Sequence, residues 1–369
     1  MENSRSKHWK LATRLIQAGR SHEPGAPLNP NITLSTGFSA GGDFGYSRNN
    51  QPNWVATQSA LGELENAEAL LFSSGMAAFN AVIELLPLGS KVVAGDVGYS
   101  GIDKRLKELA AQNRINLTLV PTANQGAMIN AAKDAALVWL DTPTNPTMRI
   151  WDIRAISAAT SGLTAVDNTL AGSLHQAPLD LGADISMHSA TKQLSGHSDL
   201  LAGALLTRNP DLLTKLTEIR TLTGAVLSAF DSYLLLRGMR TLQLRQERAS
   251  ANALDLAERL SSHSKVAKVW HLGLKTHPDF QLASAQMCGV GSVFSIEIKG
   301  DAQAAEKVSE ATKLWSHSTS LGGVESQLER RRRWANEPIG VPENLIRLSV
   351  GIEDVEDLWQ DLDQALMQS

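Results

Sequence analysis

Lys192 stands in the string SATKQLSGHSDLLAG over 189–203, where hydroxyl side chains precede a lysine and a glycine-bounded polar turn follows it. An amine that attacks a carbonyl must be poised near neutral pH, and burial beside small hydroxyl donors arranges that. Ser189 and Thr191 could then hold a phosphate while Lys192 holds an aldehyde. A surface lysine after a buried strand would give the same letters. The run over 162–193 favours the chemical reading. It contains two apolar segments, TAVD and DISMH, that predict neighbouring strands of an α/β sheet. Asp167 would end the first strand and Lys192 would follow the second, and ligands in open α/β sheets collect at such carboxyl ends.

An acid and a lysine converging on one small molecule suit pyridoxal phosphate. The lysine binds its aldehyde, and the carboxylate keeps its ring nitrogen protonated so that the ring accepts electrons from a substrate carbanion. An aspartate at a strand end can also simply cap a turn. Upstream, LLFSSGMAAFNAVIELL over 70–86 passes from an apolar strand through Ser73, Ser74 and Gly75 into an amphipathic helix. Unpaired N–H groups and the positive end of the helix dipole favour a phosphate at that start, and Gly75 lets the backbone come close. An ordinary N-cap reads the same way.

Seven blocks then occur in one order: YSR (46–48), SSGMAA (73–78), DTPTNP (141–146), VDNT (166–169), SATKQLSGHSD (189–199), SLGGVES (320–326) and RLSVGIED (347–354). Together they resemble the Cys/Met-metabolism family of pyridoxal-phosphate enzymes, which includes cystathionine γ-synthase, cystathionine β- and γ-lyases and methionine γ-lyase. The resemblance implies an α/β, fold-type I, aspartate-aminotransferase-like fold, with a mostly parallel sheet domain and a smaller α+β carboxyl-terminal domain. It implies that Lys192 binds the cofactor aldehyde and that Asp167 pairs with the pyridine nitrogen. Ser74, Gly75 and Met76 would meet the phosphate, with the hydroxyls of Ser189 and Thr191. Tyr46 and Arg48 would reach the phosphate of a neighbouring subunit's cofactor, so the implied assembly is a homotetramer built from dimers that share active sites. Tyr99, in GDVGYSG (95–101), would stack on the ring and take part in proton transfer. Asn145, Ser320 and Arg347 would hold the substrate's α-carboxylate and steer the lysine.

The residues themselves agree. In LIRLSVG, a period of two puts Ile346, Leu348 and Val350 on one side of a strand and Leu345, Arg347 and Ser349 on the other. Arg347 is thus not forced into the apolar face, and its planar fork matches the carboxylate of an amino acid. An interdomain ion pair is the plainer role for it, as a packed aromatic is for Tyr99.

Composition bounds the alternatives. A chain of 369 residues is long enough for two domains. A net charge of −4 gives no reason to expect a nucleic-acid or membrane partner. The single cysteine, Cys288, cannot form an intrachain disulfide, and it is expected to pack as a small hydrophobe in a reducing cytoplasm. The charged amino terminus lacks the apolar stretch of a secretory signal, and no apolar run approaches bilayer-spanning length. The nine histidines, His188 and His197 among them, show no metal-ligand spacing with Cys288, so no metal site is expected. Ser198 lacks the elbow of a serine hydrolase. ERRRR (329–333) reads as a solvated helix face, although one of its arginines, or Lys104 or Arg105, could meet the distal carboxylate of a diacid substrate.

These elements divide the chain into an arm over 1–48 that gains order on a neighbouring subunit, a cofactor domain over 49–235 and a carboxyl-terminal domain over 236–369. Residues 234–263 predict one long amphipathic helix joining the two domains. Strands are expected over 265–271, 291–300 and 345–350.

Departures from the family fall on specificity. Thr319 stands where the synthases and γ-lyases commonly carry glutamate, Lys104 where an arginine follows the stacking tyrosine, Asp141 where a glutamate is familiar, and Gly101 near the place of a cysteine usual in methionine γ-lyase. YSR continues as NNQP, and the segment before RLSVGIE is short and lacks a histidine-containing turn. The expected reaction is cleavage of the Cγ–S bond of L-cystathionine, a small amino-acid substrate, with the γ-synthase and β-lyase reactions as alternatives. A non-catalytic scaffold that binds the cofactor is the alternative of another class. An intact Lys192, Asp167, Tyr99 and Arg347 speak against it, because a scaffold has no use for both an electron sink and a free base.

Overall fold

A computed structural model describes residues 8–122, 124–335 and 337–368. Seven strands make the larger sheet: β1 (Glu68–Phe72), β2 (Ser90–Gly95), β3 (Ile115–Val120), β4 (Leu137–Asp141), β5 (Leu163–Asp167), β6 (Ile185–His188) and β7 (Gly203–Thr207). Their spatial order is β1-β7-β6-β5-β4-β2-β3. The five from β6 to β3 run parallel, and β7 is antiparallel to both β6 and β1. Because β7 opposes both neighbours, β1 points the same way as β6, and the carboxyl ends of β1, β2, β4, β5 and β6 share one edge. Winding proceeds outward from β2 to β3 on one side and from β4 through β5 to β6 on the other. The direction therefore reverses between β2 and β4, where open α/β sheets bind ligands.

Helices cover both faces, which is why these strands read as continuous apolar runs. In chain order the first are α1 (Leu11–Gln17), α2 (Pro52–Glu65), α3 (Gly75–Glu84), α4 (Ser100–Ala111), α5 (Gln125–Ala132), α6 (Ile153–Ala159), α7 (Pro210–Thr223), α8 (Ala229–Met239) and α9 (Leu242–Ser261). Alternate residues of β4 enter different cores. Leu137 and Trp139 pack with Phe79 of α3 and Leu106 of α4, whereas Val138 and Leu140 pack with Met128 of α5 and Ile156 of α6. Trp54 of α2 and Leu235 of α8 close a third cluster over β1 and β7.

The smaller sheet contains β8 (Val266–Trp270), β9 (Val293–Ile298), β10 (Ser316–His317), β11 (Gln327–Arg330) and β12 (Leu345–Ser349), in the order β10-β11-β12-β9-β8. One face carries Phe294, Ile296, Ile346 and Leu348 into a core shared with Leu256 of α9, Leu358 and other helical residues. The opposite face turns Arg347 and Ser349 toward the larger sheet, as the period of two predicts, although both are buried. Hydrogen bonds from both Arg347 Nη atoms, and one accepted by the Ser349 hydroxyl, make that burial tolerable.

Three expectations need correction here. The long helix over 234–263 is two helices, because the Gly238 carbonyl accepts from Thr241 N–H at 3.2 Å and from Arg245 Nη2 at 2.8 Å, where a continuous helix would use its i+4 partner. Cys288 is exposed, since the strand of its apolar run begins only at Val293 and leaves Cys288 in the preceding loop. ERRRR is not a helix face but the end of β11 and a 3₁₀ turn over Arg331–Arg333. After α1, whose Leu15 is buried against α2, residues 18–51 form no helix, and Leu28 and Leu34 remain 76% and 80% exposed.

Gly203, at the start of β7, lies so close to α3 that an added Cβ would meet the Ser74 carbonyl oxygen at 2.1 Å and Gly75 N at 3.0 Å. Gly203→Ala should therefore destabilise the cofactor-free fold by about 1–3 kcal/mol in urea unfolding. It should also loosen retention of cofactor on dialysis, because the clash falls on the helix start.

Candidate active site

A cavity of about 1090 Å³ opens at the shared carboxyl edge of the larger sheet and is closed on the other side by the smaller one. Lys192 enters it from the turn after β6. Its N–H donates to the Ser189 carbonyl at 3.1 Å and its own carbonyl accepts from Gly196 N–H at 2.8 Å, which fixes the backbone. The Nζ donates to Ser320 Oγ at 2.9 Å. Burial, then the nearby Arg347 guanidinium, push the Lys192 amine down to about 8. A lysine held by a neutral hydroxyl keeps a lone pair within reach at mildly alkaline pH.

The start of α3 forms one end of the cavity. Ser74 caps the helix by accepting the Ala77 N–H at 3.1 Å, while the first-turn N–H groups of Gly75 and Met76 have no intrahelical partner. Both residues line the cavity with Ser189 and Thr191. A Cβ on Gly75 would lie 3.0 Å from the Ser189 Cβ, so glycine is what lets the two segments close. The Thr191 hydroxyl donates to the Ala202 carbonyl at 3.2 Å and accepts the Ala202 N–H at 3.0 Å, so it already holds the lysine turn in place.

Along the floor, Asp167 ends β5 and sits in register beside Asp141 of β4. Burial raises the Asp167 carboxyl above its ordinary range, although its oxygen accepts the Thr169 N–H at 3.0 Å. Burial and the charge of Asp167 raise Asp141 well above the usual value. Asp141 Oδ2 also accepts the Tyr99 N–H at 2.6 Å and so fixes Tyr99, which follows β2, lines the cavity and stays 44% exposed. These residues fit pyridoxal phosphate: a helix start for the phosphate, an amine for the aldehyde, an aromatic beside the ring, and a buried carboxylate whose burial cost a protonated ring nitrogen would offset.

Arg347 stands at the other end. Its Nη1 donates to Asn145 Oδ1 at 3.1 Å, and its Nη2 to the Ser320 carbonyl at 2.7 Å and to Glu329 Oε1 at 2.8 Å. Eleven of the anticipated site residues thus line one cavity. Tyr46 and Arg48 do not. Arg48 Nη1 donates to the Thr221 carbonyl at 3.0 Å, and its guanidinium lies 5.6 Å from the half-exposed Tyr46 ring.

Sequence reasoning missed Glu329 and Trp334, and it gave Arg331 only a guess. Glu329 has no exposed surface. Burial opposes its ionisation, but Arg347, Arg331 and further donors hold its carboxyl below the usual range. Arg331 lines the cavity, yet it is already paired with Glu329 and bidentately with Glu337, at 3.2 and 2.7 Å, so it is not a free partner for a distal carboxylate. Lys104 faces a separate hollow and Arg105 donates to Asn80 Oδ1 at 3.2 Å. Among the described residues no group of three His, Cys, Asp or Glu side chains could hold a metal ion. His188 instead lies buried against Ser173 Oγ at 2.7 Å and Glu65 at 3.5 Å.

The sequence profile described as Cys/Met metabolism PLP-dependent enzyme matches residues 12–367. A cystathionine γ-lyase of Dictyostelium discoideum is 38% identical, over 97% of this chain and 98% of its own length. A chloroplastic cystathionine β-lyase of Arabidopsis thaliana is 39% identical, over 96% of this chain and 76% of its own. A crystal structure of cystathionine γ-synthase from Xanthomonas oryzae pv. oryzae, in complex with aminoacrylate and cysteine, superposes with a TM-score of 0.94 at 33% identity and covers 98% of both chains.

In cofactor-free protein, aldehyde labelling of Lys192 followed by mass spectrometry should rise with a midpoint near pH 8, because the unprotonated amine reacts and burial favours it. A midpoint near the ordinary lysine value, about 10.4, would show that the cavity leaves the amine unperturbed.

Proposed function

The chain belongs to the Cys/Met-metabolism family of pyridoxal-phosphate-dependent enzymes, and from that premise we propose that it cleaves the Cγ–S bond of L-cystathionine. With one water, the products are cysteine, 2-oxobutanoate and ammonia. The relatives divide among γ-lyase, β-lyase and γ-synthase, so the family alone stops at carbon–sulfur chemistry on amino acids. What favours γ-cleavage is the tether of Lys192 to Ser320. Departure of sulfur from Cγ requires proton movement at both Cα and Cβ, and a base held by one neutral hydroxyl is guided without being locked into an ion pair.

Pyridoxal phosphate, when bound, supplies an electron sink for negative charge at Cα. Arg347, backed by Asn145, would take the substrate's α-carboxylate and so orient the Cα–H bond toward Lys192. Lys192 would then accept the Cα proton and move a proton at Cβ, with its reach bounded by Ser320. Asp167 would stabilise the ring nitrogen's proton. Tyr99, placed by Asp141, would cover the ring and assist proton transfer. Ser189 and the α3 start would anchor the phosphate, and Tyr46 and Arg48, which do not line their own cavity, would reach the phosphate of a neighbouring subunit.

Purified holoenzyme given L-cystathionine should release 2-oxobutanoate, identified by mass spectrometry. Pyruvate would move the reaction to Cβ, and no keto acid would direct the assay to acylated homoserine plus cysteine. Lys192→Ala should lower turnover by roughly 10²–10⁴-fold with an unchanged circular-dichroism spectrum. Unchanged turnover would overturn the role of the lysine. Light scattering should find an oligomer, and a monomer with full activity would rule out the shared-site role of Tyr46 and Arg48.

A further inference from the structure

We propose that Glu329 is a positioning residue, a buried carboxylate that holds Arg347 in the pose in which it receives the substrate's α-carboxylate. The inference rests on the reading that Arg347 binds that group. Glu329 and Arg347 lie directly opposite each other on the antiparallel strands β11 and β12. The Glu329 side chain has no exposed surface and Arg347 is 3% exposed, so solvent screens neither. Glu329 Oε1 accepts from Arg347 Nη2 at 2.8 Å, from Thr319 Oγ1 at 3.1 Å and from Arg331 Nη1. Its Oε2 accepts from Arg333 Nη2 at 3.0 Å and Trp334 Nε1 at 3.1 Å. Both oxygens are therefore taken, which leaves Glu329 no capacity for a substrate amine. It acts on the substrate only through its neighbours.

Charge arithmetic gives the network its direction. Arg331, Arg333 and Arg347 face Glu329 and Glu337, so three cations meet two anions and one positive charge is left over. A substrate carboxylate at Arg347 completes the balance. Without Glu329, Arg331 would keep Glu337, but Arg347 would lose its carboxylate partner and keep only the neutral acceptors Asn145 and the Ser320 carbonyl. The added positive charge would attract a carboxylate more strongly, but only at a fork that stays in place. With no carboxylate between them the Arg331 and Arg347 guanidinium groups repel, and a displaced fork loses its bidentate geometry. Ser320 extends the effect, since its carbonyl accepts from Arg347 while its hydroxyl accepts from Lys192.

The test compares two probes that have no leaving group. L-Norleucine carries an α-carboxylate and 1-aminopentane is the same molecule without it. Each is titrated into holoenzyme while the bound cofactor's absorbance is followed. In Glu329→Gln the dissociation constant for norleucine should rise about tenfold while that for aminopentane stays within about twofold. Equal weakening of both would reduce Glu329 to general support of the fold, and unchanged or tighter norleucine binding would reduce it to a counter-charge. Either result overturns the proposal. Should Glu329→Gln fail to fold, Thr319→Val removes a single hydrogen bond to the carboxylate and should weaken norleucine alone, by about two- to fivefold. No selective loss in that variant would be equally contrary. Wild-type enzyme that binds norleucine no better than aminopentane would overturn the role of Arg347 itself, and because neither probe is cleaved, a negative result with cystathionine does not bear on this test.

Discussion

Burial of ionised groups at the junction of two sheets is the constraint on which the rest depends. Arg347 and Glu329 belong to the smaller sheet, but Asn145 follows a strand of the larger one, and so does Lys192, which donates to Ser320 across the gap. A buried ion pair is stabilising only with good geometry and with its remaining donors satisfied, and separating its partners leaves an uncompensated charge. The two sheets must therefore stay in register. Arg149 and Asp279 reinforce this with a bidentate pair at 2.6 and 3.0 Å, and Ser295 Oγ adds a bond to the Pro146 carbonyl at 2.8 Å. Polar contacts of this kind have narrow angular tolerance, so they specify the relative placement that apolar packing alone would leave looser.

The same burial separates the proton affinities of the groups it encloses. It lowers the Lys192 amine to about 8 and raises Asp167 and Asp141, since in each case the charged form is the one that suffers from lost water. A buried amine that gives up its proton readily suits a base, and a buried carboxylate that suffers from lost water gains most from a cationic ring nitrogen beside it. No special residue types are needed for this. The topology places ordinary Lys and Asp side chains at the carboxyl ends of adjacent parallel strands, where depth and mutual approach do the tuning.

Legibility in the sequence followed the range of the forces involved. Lys192, Asp167 and Gly75 were readable because strand ends and helix starts are local, and apolar runs mark them within a dozen residues. Tyr99, Asn145, Ser320 and Arg347 were readable mainly as blocks in a family order. Glu329 and Arg331 were hidden because ERRRR has the composition of a solvated helix face. Its structural role comes from pairing with a strand some 18 residues later in sequence, at Arg347, and nothing local encodes that register. A weaker sign was present: Gln327, Glu329 and Arg331 alternate with the apolar Leu328, as residues on one face of a strand do. The break between α8 and α9 was equally non-local, because Arg245 reaches back to the Gly238 carbonyl. Cys288 lies in the loop before β9, where apolar neighbours in sequence do not fix which side chain turns outward.

Position 319 connects this hidden network to specificity. The family resemblance implies a glutamate ahead of SLGG, where this chain has Thr319, and the Thr319 hydroxyl donates to Glu329. A carboxylate thus lies within one hydrogen bond of the familiar place, but it arrives from β11 and is saturated by arginines. A free carboxylate at 319 could recognise a distal ammonium group directly, whereas Glu329 can only do so by releasing a guanidinium, which burial makes costly. With the Thr319 hydroxyl and the Trp334 Nε1 both donating to Glu329, these two residues present shape and apolar surface to the cavity rather than free donors. On the proposed reading, Lys192 and Arg347 at Cα and Asp167 at the ring nitrogen would be common to the γ-lyase, β-lyase and γ-synthase reactions. A difference of one hydrogen bond at the far end of the substrate would change preference among them by roughly tenfold.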